Sequence, residues 1–242
     1  MQFSVIIAAL NECENIRQCI RQVRSLDRSV EIIVVDGGST DGTSAIAIEE
    51  GATVVQSAPG RGPQFNAGAD VATGDIFLFL HADTALPDHA FYLLRGEFRN
   101  PTVRIGTFHL SYDHDSPLLR FYCWFTRFDS VLTKFGDQCI VIRRTFYEAI
   151  GGFPSWPLLE DVRLFQKARQ VGRIHIIPGT VRTSARRFID NGIIRQQIRN
   201  GLYLLLYLAG VPPGTIAKKY NKPPRDASPS LNEASEMGSS HP

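Results

Sequence analysis

The sequence predicts an α/β fold, with a mostly parallel central sheet, helices on both faces and a small antiparallel part in the second half of the chain. Three observations carry this prediction. The first hundred residues alternate strand and helix, the pattern of a parallel sheet covered by helices. Phe3–Leu10, Glu31–Asp36 and Ile76–Leu80 are largely apolar runs without polar alternation, as in strands buried on both faces. Each run delivers polar groups at its carboxyl end, namely Asn11-Glu12, Asp36 and His81-Ala82-Asp83. Open α/β sheets bind ligands beyond those ends.

Taken in order, Phe3–Leu10 is the first strand. A helix follows from about Glu14 to Leu26, with Ile16, Ile20 and Val23 at helical spacing. Glu31–Asp36 is the second strand. Gly37-Gly38-Ser39-Thr40-Asp41-Gly42-Thr43 is a tight glycine-rich turn with helix N-caps, opening a helix to about Glu50. Ala52–Gln56 is a third short strand. Pro59-Gly60-Arg61-Gly62-Pro63 then enters a helix through Phe65-Asn66-Ala67-Gly68. A helix N-terminus beside an arginine favours an anion, because free backbone N–H groups and positive charge converge there. The loop lacks both the G-x-G-x-x-G of dinucleotide binding and the Gly-Lys-Ser/Thr of a P-loop, and a plain connection is the competing reading. Ile76–Leu80 is the central strand, followed by a helix over about Asp88–Phe98.

The pattern then changes. Val103–Tyr112 alternates like an antiparallel strand, and Leu118–Leu132 reads as an aromatic-rich helix whose Phe121, Trp124 and Phe125 suit a core. Phe135-Gly136-Asp137-Gln138 precedes the strand Cys139–Ile142, and Arg143-Arg144 opens a helix ending at Gly151-Gly152. Glu160-Asp161 starts a helix to about Val171, and strands near Arg173–Ile177 and Val181–Ser184 complete the pattern. His109 and His175 fall in strands and read as core or edge residues. Acids at a helix start stabilise its dipole by ~0.3–1 kcal/mol, so the pair 160–161 has a purely structural reading as well.

The 242 residues suit one large α/β domain or two small ones, and an apolar fraction of 43% allows a sizeable core. With 26 basic and 24 acidic residues the net charge is +2, and no nucleic-acid partner is expected. The basic residues are unevenly placed, however. Arg182, Arg186, Arg187, Arg195 and Arg199 crowd one late segment, which suits a phosphate-bearing substrate or an anionic membrane surface as well as a solvated helix face. Cys13, Cys19, Cys123 and Cys139 match no metal or redox spacing and read as reduced thiols in a cytoplasmic protein. Met1 leads directly into a strand, and no signal peptide is expected. The run Leu202–Val211 falls short of the ~20 residues that a spanning helix needs. The helix Ile193–Leu208, with Arg195 and Arg199, fits three roles: peripheral contact with the inner membrane face, packing on the domain, or a homodimer contact.

Asn11-Glu12, Asp36 before Gly-Gly-Ser-Thr-Asp-Gly, His81-Ala82-Asp83 and Glu160-Asp161 together resemble the family 2 glycosyltransferases of GT-A fold, over roughly residues 2–185. Gly60-Arg61-Gly62, Leu80-His81-Ala82-Asp83-Thr84, Gly136-Asp137-Gln138 and Ser184-Ala185-Arg186-Arg187 resemble, more narrowly, a bacterial subgroup labelled arsenosugar-biosynthesis glycosyltransferase. The resemblance implies a Rossmann-like GT-A sheet, a nucleotide-sugar donor (usually UDP-linked), a hydroxyl acceptor, and Mg²⁺ or Mn²⁺. By motif, Asp36 contacts the base, and Ala8, Leu10 and Glu12 line the nucleotide pocket. Asp83 matches the last carboxylate of the family's Asp-x-Asp and holds the metal, with Ala82 beside it. His81 stands where the family has the first Asp, and its imidazole suits either contact with the ribose or ligation of Mn²⁺, whereas Mg²⁺ prefers oxygen ligands. Asp161 matches the general base. Arg61 and Asn66 fall on the donor side, and Asp137, Gln138, Trp156 and Glu160 on the acceptor side.

This chemistry needs these residue types. The departing nucleoside diphosphate gathers negative charge that a cation neutralises, and the acceptor hydroxyl needs a carboxylate to take its proton. One base with direct attack predicts inversion. Residues 1–211 then form one domain: a nucleotide-binding half (about 1–100), an acceptor half (about 101–190) and an amphipathic helix (about 190–210). Residues 212–242, rich in Pro, Ser, Asn and Glu, read as an unpacked tail. Two rivals remain at this level: a non-catalytic nucleotide-sugar-binding or scaffold protein, and a nucleotidyltransferase. Ala8–Glu12 counts against the latter, which should carry a basic glycine-rich loop there.

Overall fold

The computed structural model describes residues 1–130 and 133–220. Its strands are β1 (Phe3–Ala9), β2 (Glu31–Asp36), β3 (Thr53–Gln56), β4 (Ile76–His81), β5 (Thr84–Ala85), β6 (Ile105–Tyr112), β7 (Ile140–Arg143) and β8 (His175–Thr183). The helices are α1 (Cys13–Leu26), α2 (Thr43–Glu49), α3 (Arg61–Val71), α4 (Ala90–Glu97), α5 (Pro117–Phe125), α6 (Arg144–Ala149), α7 (Glu160–Arg169), α8 (Arg186–Asn191), α9 (Ile193–Leu208) and α10 (Pro213–Tyr220). A single 3₁₀ turn spans Gly136–Gln138.

All eight strands join one sheet in the order β3-β2-β1-β4-β7-β6-β8-β5. β3, β2, β1 and β4 run parallel; β7 is antiparallel to both β4 and β6, and β6 is parallel to β8. Strands β1, β2 and β4 read as largely apolar because both of their faces are covered. In β4, Ile76, Leu78 and Leu80 enter one core with α1 and α4, while Phe77 and Phe79 enter a second with α3, α6 and α7. Each such side chain contributes about 1.5–3 kcal/mol on burial. Helix α3 lies close to the sheet, and a Cβ at Gly68 would stand 2.3 Å from Ile6 Cγ2 and 2.8 Å from Val35 Cγ2. Only glycine permits that approach.

The second half departs from expectation in three places. The two late strands are one, because residues 175–183 pair with β6 in two segments separated by an irregularity in register between Thr107 and His109. Helix α5 ends at Phe125, not at residue 132, and Phe121 (64% exposed) and Trp124 (49%) do not belong to a core. Residues 131 and 132 lie outside the described residues. Finally, residues 213–220 are not an unpacked tail. They form α10, and Ile216, 1% exposed, packs into a cluster with Leu159, Val162, Tyr203 and Leu204. Residues 221–242 of the expected tail lie outside the described residues.

Candidate active site

The parallel register of β1 and β4 pairs Ala8 with His81, which brings the ends of these two strands side by side. Beyond them opens a cleft of about 410 Å³. Its walls include the expected Ala8, Leu10, Glu12, Arg61, Ala82 and Asp83, together with His81 and Asp137. Arg61 is the first residue of α3, at the helix end where backbone N–H groups are free. Asn11, a non-glycine residue at φ 54°, turns the chain out of β1 so that Glu12 reaches the cleft.

Charged groups converge at one end. Arg61 Nε lies 2.7 Å from Glu160 Oε1, a pair with Glu160 almost wholly buried, and Arg61 Nη1 is 3.7 Å from Asp137 Oδ1. His81 Nε2 is 3.6 Å from the same Asp137 oxygen and has no hydrogen-bond partner among the described residues, although it is buried. Burial, and then the neighbouring Arg61, hold the His81 imidazole below its ordinary pKa, against the pull of Asp137, Asp83 and Asp161. Burial raises the pKa of Glu160; Arg61 opposes this and Asp161 adds to it.

Asp161 sits at the mouth of a second, smaller cavity of about 130 Å³. Its Oδ2 accepts the Gly136 N–H at 2.7 Å and its Oδ1 accepts the Val162 N–H at 2.7 Å. A Cβ at Gly136 would lie 3.2 Å from Asp161 Oδ2 and 3.6 Å from His81 Nε2, so the carboxylate and the imidazole converge on the space that the missing side chain leaves. Leu159, at φ 64°, bends the chain just before α7 and aims the acidic pair inward. The two cavities share Arg61, Tyr112, Asp137, Leu158, Arg187 and Phe188. Tyr122 from α5 and Gln196, Asn200 and Tyr203 from α9 close the smaller one.

Four expected site residues are placed differently. Asp36 is 2% exposed and its carboxylate is occupied by its own turn, accepting from Ser39 N at 2.8 Å, from Ser39 Oγ at 2.6 Å and from Ser44 Oγ. Burial pushes its pKa up, but the hydroxyls of Ser39 and Ser44 outweigh that and hold it low. Asn66 points away from the cleft; its amide donates to Phe153 O at 2.9 Å and accepts from Phe153 N at 3.1 Å, pinning that loop to α3. Gln138 is fully buried, donating to Thr133 O at 2.7 Å and accepting from Lys134 Nζ at 3.0 Å. Trp156 lies against Tyr207, with ring centroids 5.9 Å apart, and lines neither cavity. His175 sits at the sheet edge, 2.7 Å from Glu97, and His109 is half-buried.

Several lining residues escaped the sequence reading as site members. Gln64 is 3% exposed and bridges Ala9 O and Val35 O, each at 2.8 Å, beneath the cleft. Arg186 reaches Glu12 at 3.1 Å, and Arg187 lines both cavities. The motif Ser184-Ala185-Arg186-Arg187 was the signal for these two. Gln64 and Tyr122 carried none, because their roles depend on contacts remote in sequence.

The donor set at the cleft fits a divalent cation. The unpartnered Nε2 of buried His81, the nearby Asp137 and an Asp83 carboxylate with only long hydroxyl contacts (Thr84 and Thr183, each at 3.4 Å) offer borderline nitrogen and hard oxygen ligands. Among the described residues no group of three or more His, Cys, Asp or Glu forms a ready-built metal site.

A model of glycosyl transferase family 2 matches residues 4–149. An uncharacterised glycosyltransferase of Nostoc is 32% identical over 117 residues, covering 45% of this chain and 36% of its own length. The glucosyl-3-phosphoglycerate synthase of Mycolicibacterium smegmatis is 31% identical over 123 residues, covering 40% of this chain and 41% of its own length. The chain thus spans less than half the length of these curated relatives. The crystal structure of glucosyl-3-phosphoglycerate synthase from Mycobacterium tuberculosis, in complex with Mn²⁺, UDP and glucosyl-3-phosphoglycerate, superposes with a TM-score of 0.62 at 23% identity. That alignment covers 87% of this chain and 81% of the other.

Proposed function

The chain belongs to glycosyl transferase family 2 and has the GT-A fold, and on that premise we propose that it transfers a sugar, with inversion, from a UDP-linked donor to an acceptor hydroxyl. The observation that carries this reading is the convergence of Asp161 and His81 on the space where a Gly136 side chain would stand, with Asp161 in the wall of the smaller cavity and His81 in the wall of the donor cleft. The GRG, LHADT, GDQ and SARR motifs favour the subgroup labelled arsenosugar-biosynthesis glycosyltransferase.

In this reading the nucleotide lies along Ala8, Leu10 and Glu12, with Asp36 supporting that wall through its turn instead of touching the base. Asp83 and His81 would hold the cation, Mn²⁺ in preference to Mg²⁺. When bound, the cation neutralises charge on the departing diphosphate. Arg61 adds a fixed positive charge, steadied by Glu160 and Asp137. The acceptor enters by the smaller cavity and points its hydroxyl at Asp161. Each carboxylate oxygen of Asp161 accepts one backbone N–H, which fixes its orientation and leaves a lone pair for the acceptor proton. The deprotonated oxygen attacks the anomeric carbon on the face opposite the diphosphate, forming the new C–O bond as the old one breaks. The reading does not require a second carboxylate as nucleophile.

Calorimetric titration of UDP with and without Mn²⁺, on wild type and Asp161→Asn, tests the proposal. Metal-dependent UDP binding in both proteins, with transfer lowered ~10²–10⁴-fold in the variant, is expected. Absence of UDP binding with any metal would return the chain to the scaffold reading.

A further inference from the structure

Two helices that wall the smaller cavity turn apolar faces to solvent. On α5 and just after it, Leu118, Phe121, Trp124, Phe125 and Phe128 are 39–64% exposed. Their rings meet edge to face, with Phe121–Phe125, Trp124–Phe125 and Trp124–Phe128 centroids 4.9, 5.1 and 5.2 Å apart. On α9, Ile194, Ile198, Leu202, Leu205 and Leu208 recur at intervals of three or four, the spacing of one helical stripe, and are 46–67% exposed. The other side of α9 is inward: Tyr203 and Leu204 are buried and line the cavity. Leu119 of α5 packs with Phe188 and Ile193, which ties the two helices to one side of the molecule.

Charge decides what such a face meets. Residues 186–220 hold six basic residues against one acid, Asp190, in a chain of 26 against 24, so the remainder is net acidic. Arg127 and Arg120, the latter 3.5 Å from Asp115, flank the aromatic cluster of α5, and Arg195 is exposed beside the α9 stripe. Such a basic surface opposes stacking on a second copy of itself. Residues 221–242 hold only Leu231 and Met237 as large apolar side chains, too few to cover either helix. An apolar stripe, an exposed tryptophan and flanking arginines match the chemistry of the boundary between headgroups and acyl chains. We propose that α5 and α9 form a docking face for an anionic lipid bilayer surface, with the acceptor cavity opening between them. The docking itself does not depend on the transfer chemistry.

The test is co-sedimentation of the full chain with vesicles of phosphatidylcholine alone or mixed equally with phosphatidylglycerol. Binding at least about tenfold tighter to the anionic vesicles, and weakening with salt, is expected. Phe121→Ser/Trp124→Ser and, separately, Ile198→Ser/Leu202→Ser should each weaken it by about tenfold or more. These side chains are exposed, and an unchanged urea midpoint and UDP titration in each variant verify that fold and donor site are intact. Equal binding to both vesicle types, binding to neither, or binding indifferent to both double variants overturns the proposal. A dimer in sedimentation velocity that the same substitutions dissociate, without vesicle binding, would assign the face to a second copy instead.

Discussion

The Gly136 N–H donates to Oδ2 of Asp161 at 2.7 Å, and a methyl group on that glycine would stand 3.2 Å from the same oxygen. The carboxylate is thus held by a residue whose side-chain space it occupies. Gly136→Ala should displace the carboxylate by a few tenths of an ångström and lower transfer on the order of 10²-fold, as misplaced reacting groups do. UDP affinity in Mn²⁺ and the urea midpoint should stay near wild type. A transfer rate within threefold of wild type would show that Asp161 does not need this restraint.

In the proposed reading Asp83 and His81 divide the metal's preferences between them. Asp83→Ala should raise the UDP dissociation constant in Mn²⁺ and leave weak metal-free binding unchanged. His81→Asp replaces a borderline nitrogen ligand with a hard oxygen and should shift the preference from Mn²⁺ toward Mg²⁺. Titrating UDP at fixed concentrations of each metal reads both effects, and identical metal profiles in wild type and His81→Asp would remove the imidazole from the coordination.

Packing of α3 on the sheet gives a prediction about stability alone. Gly68→Ala places a methyl 2.3 Å from Ile6 Cγ2, an overlap that forces helix and strand apart. Overpacking of this kind costs about 1–3 kcal/mol. Urea denaturation should show this loss, and a neutral result would mean that the helix slides freely along the strands.

Lys134 gives the pH dependence. It is 1% exposed, donates to Thr126 O at 2.6 Å and to Gln138 Oε1 at 3.0 Å, and burial lowers its pKa to about 8. The unfolded side chain keeps its proton to about pH 10.4, so between these values the unfolded state binds the extra proton and stability rises with pH. The penalty of the buried charge is fully present below pH 8. Lys134→Met should therefore lack a rise of roughly 2 kcal/mol between pH 7 and 9.5 that wild type shows. Parallel urea curves for the two proteins across that range would contradict the assignment.

Strands β1, β2 and β4 were legible because a strand covered on both faces has no polar alternation to misread, and Asp83, Asp161 and Arg61 could be singled out as candidates because short motifs fix their neighbours. Gln138 and Asn66 were misread for a common reason. Each amide sits within a recognisable motif, yet its partners are backbone groups of loops that the sequence does not pair with it, Thr133 and Phe153. Phe121 and Trp124 show the opposite error. Helical spacing of aromatics marks an apolar stripe equally well whether protein or solvent lies against it. The short strand β5 and the helices α8 and α10 were missed because they are brief and owe their order to the surfaces they pack on.

Strand β4 takes one neighbour, β1, from upstream and the other, β7, from far downstream, pairing Phe77 with Ile142 and Phe79 with Ile140. While the chain leaves the ribosome, Ile76-Phe77-Leu78-Phe79-Leu80 is complete long before its second partner exists. It is uncharged, free of proline and rich in β-formers, the composition that seeds intermolecular pairing. The first hundred residues are therefore no independent module. A product truncated near residue 100 should be found in inclusion bodies, and grafting that segment onto another chain requires carrying residues 140–143 along as its cap.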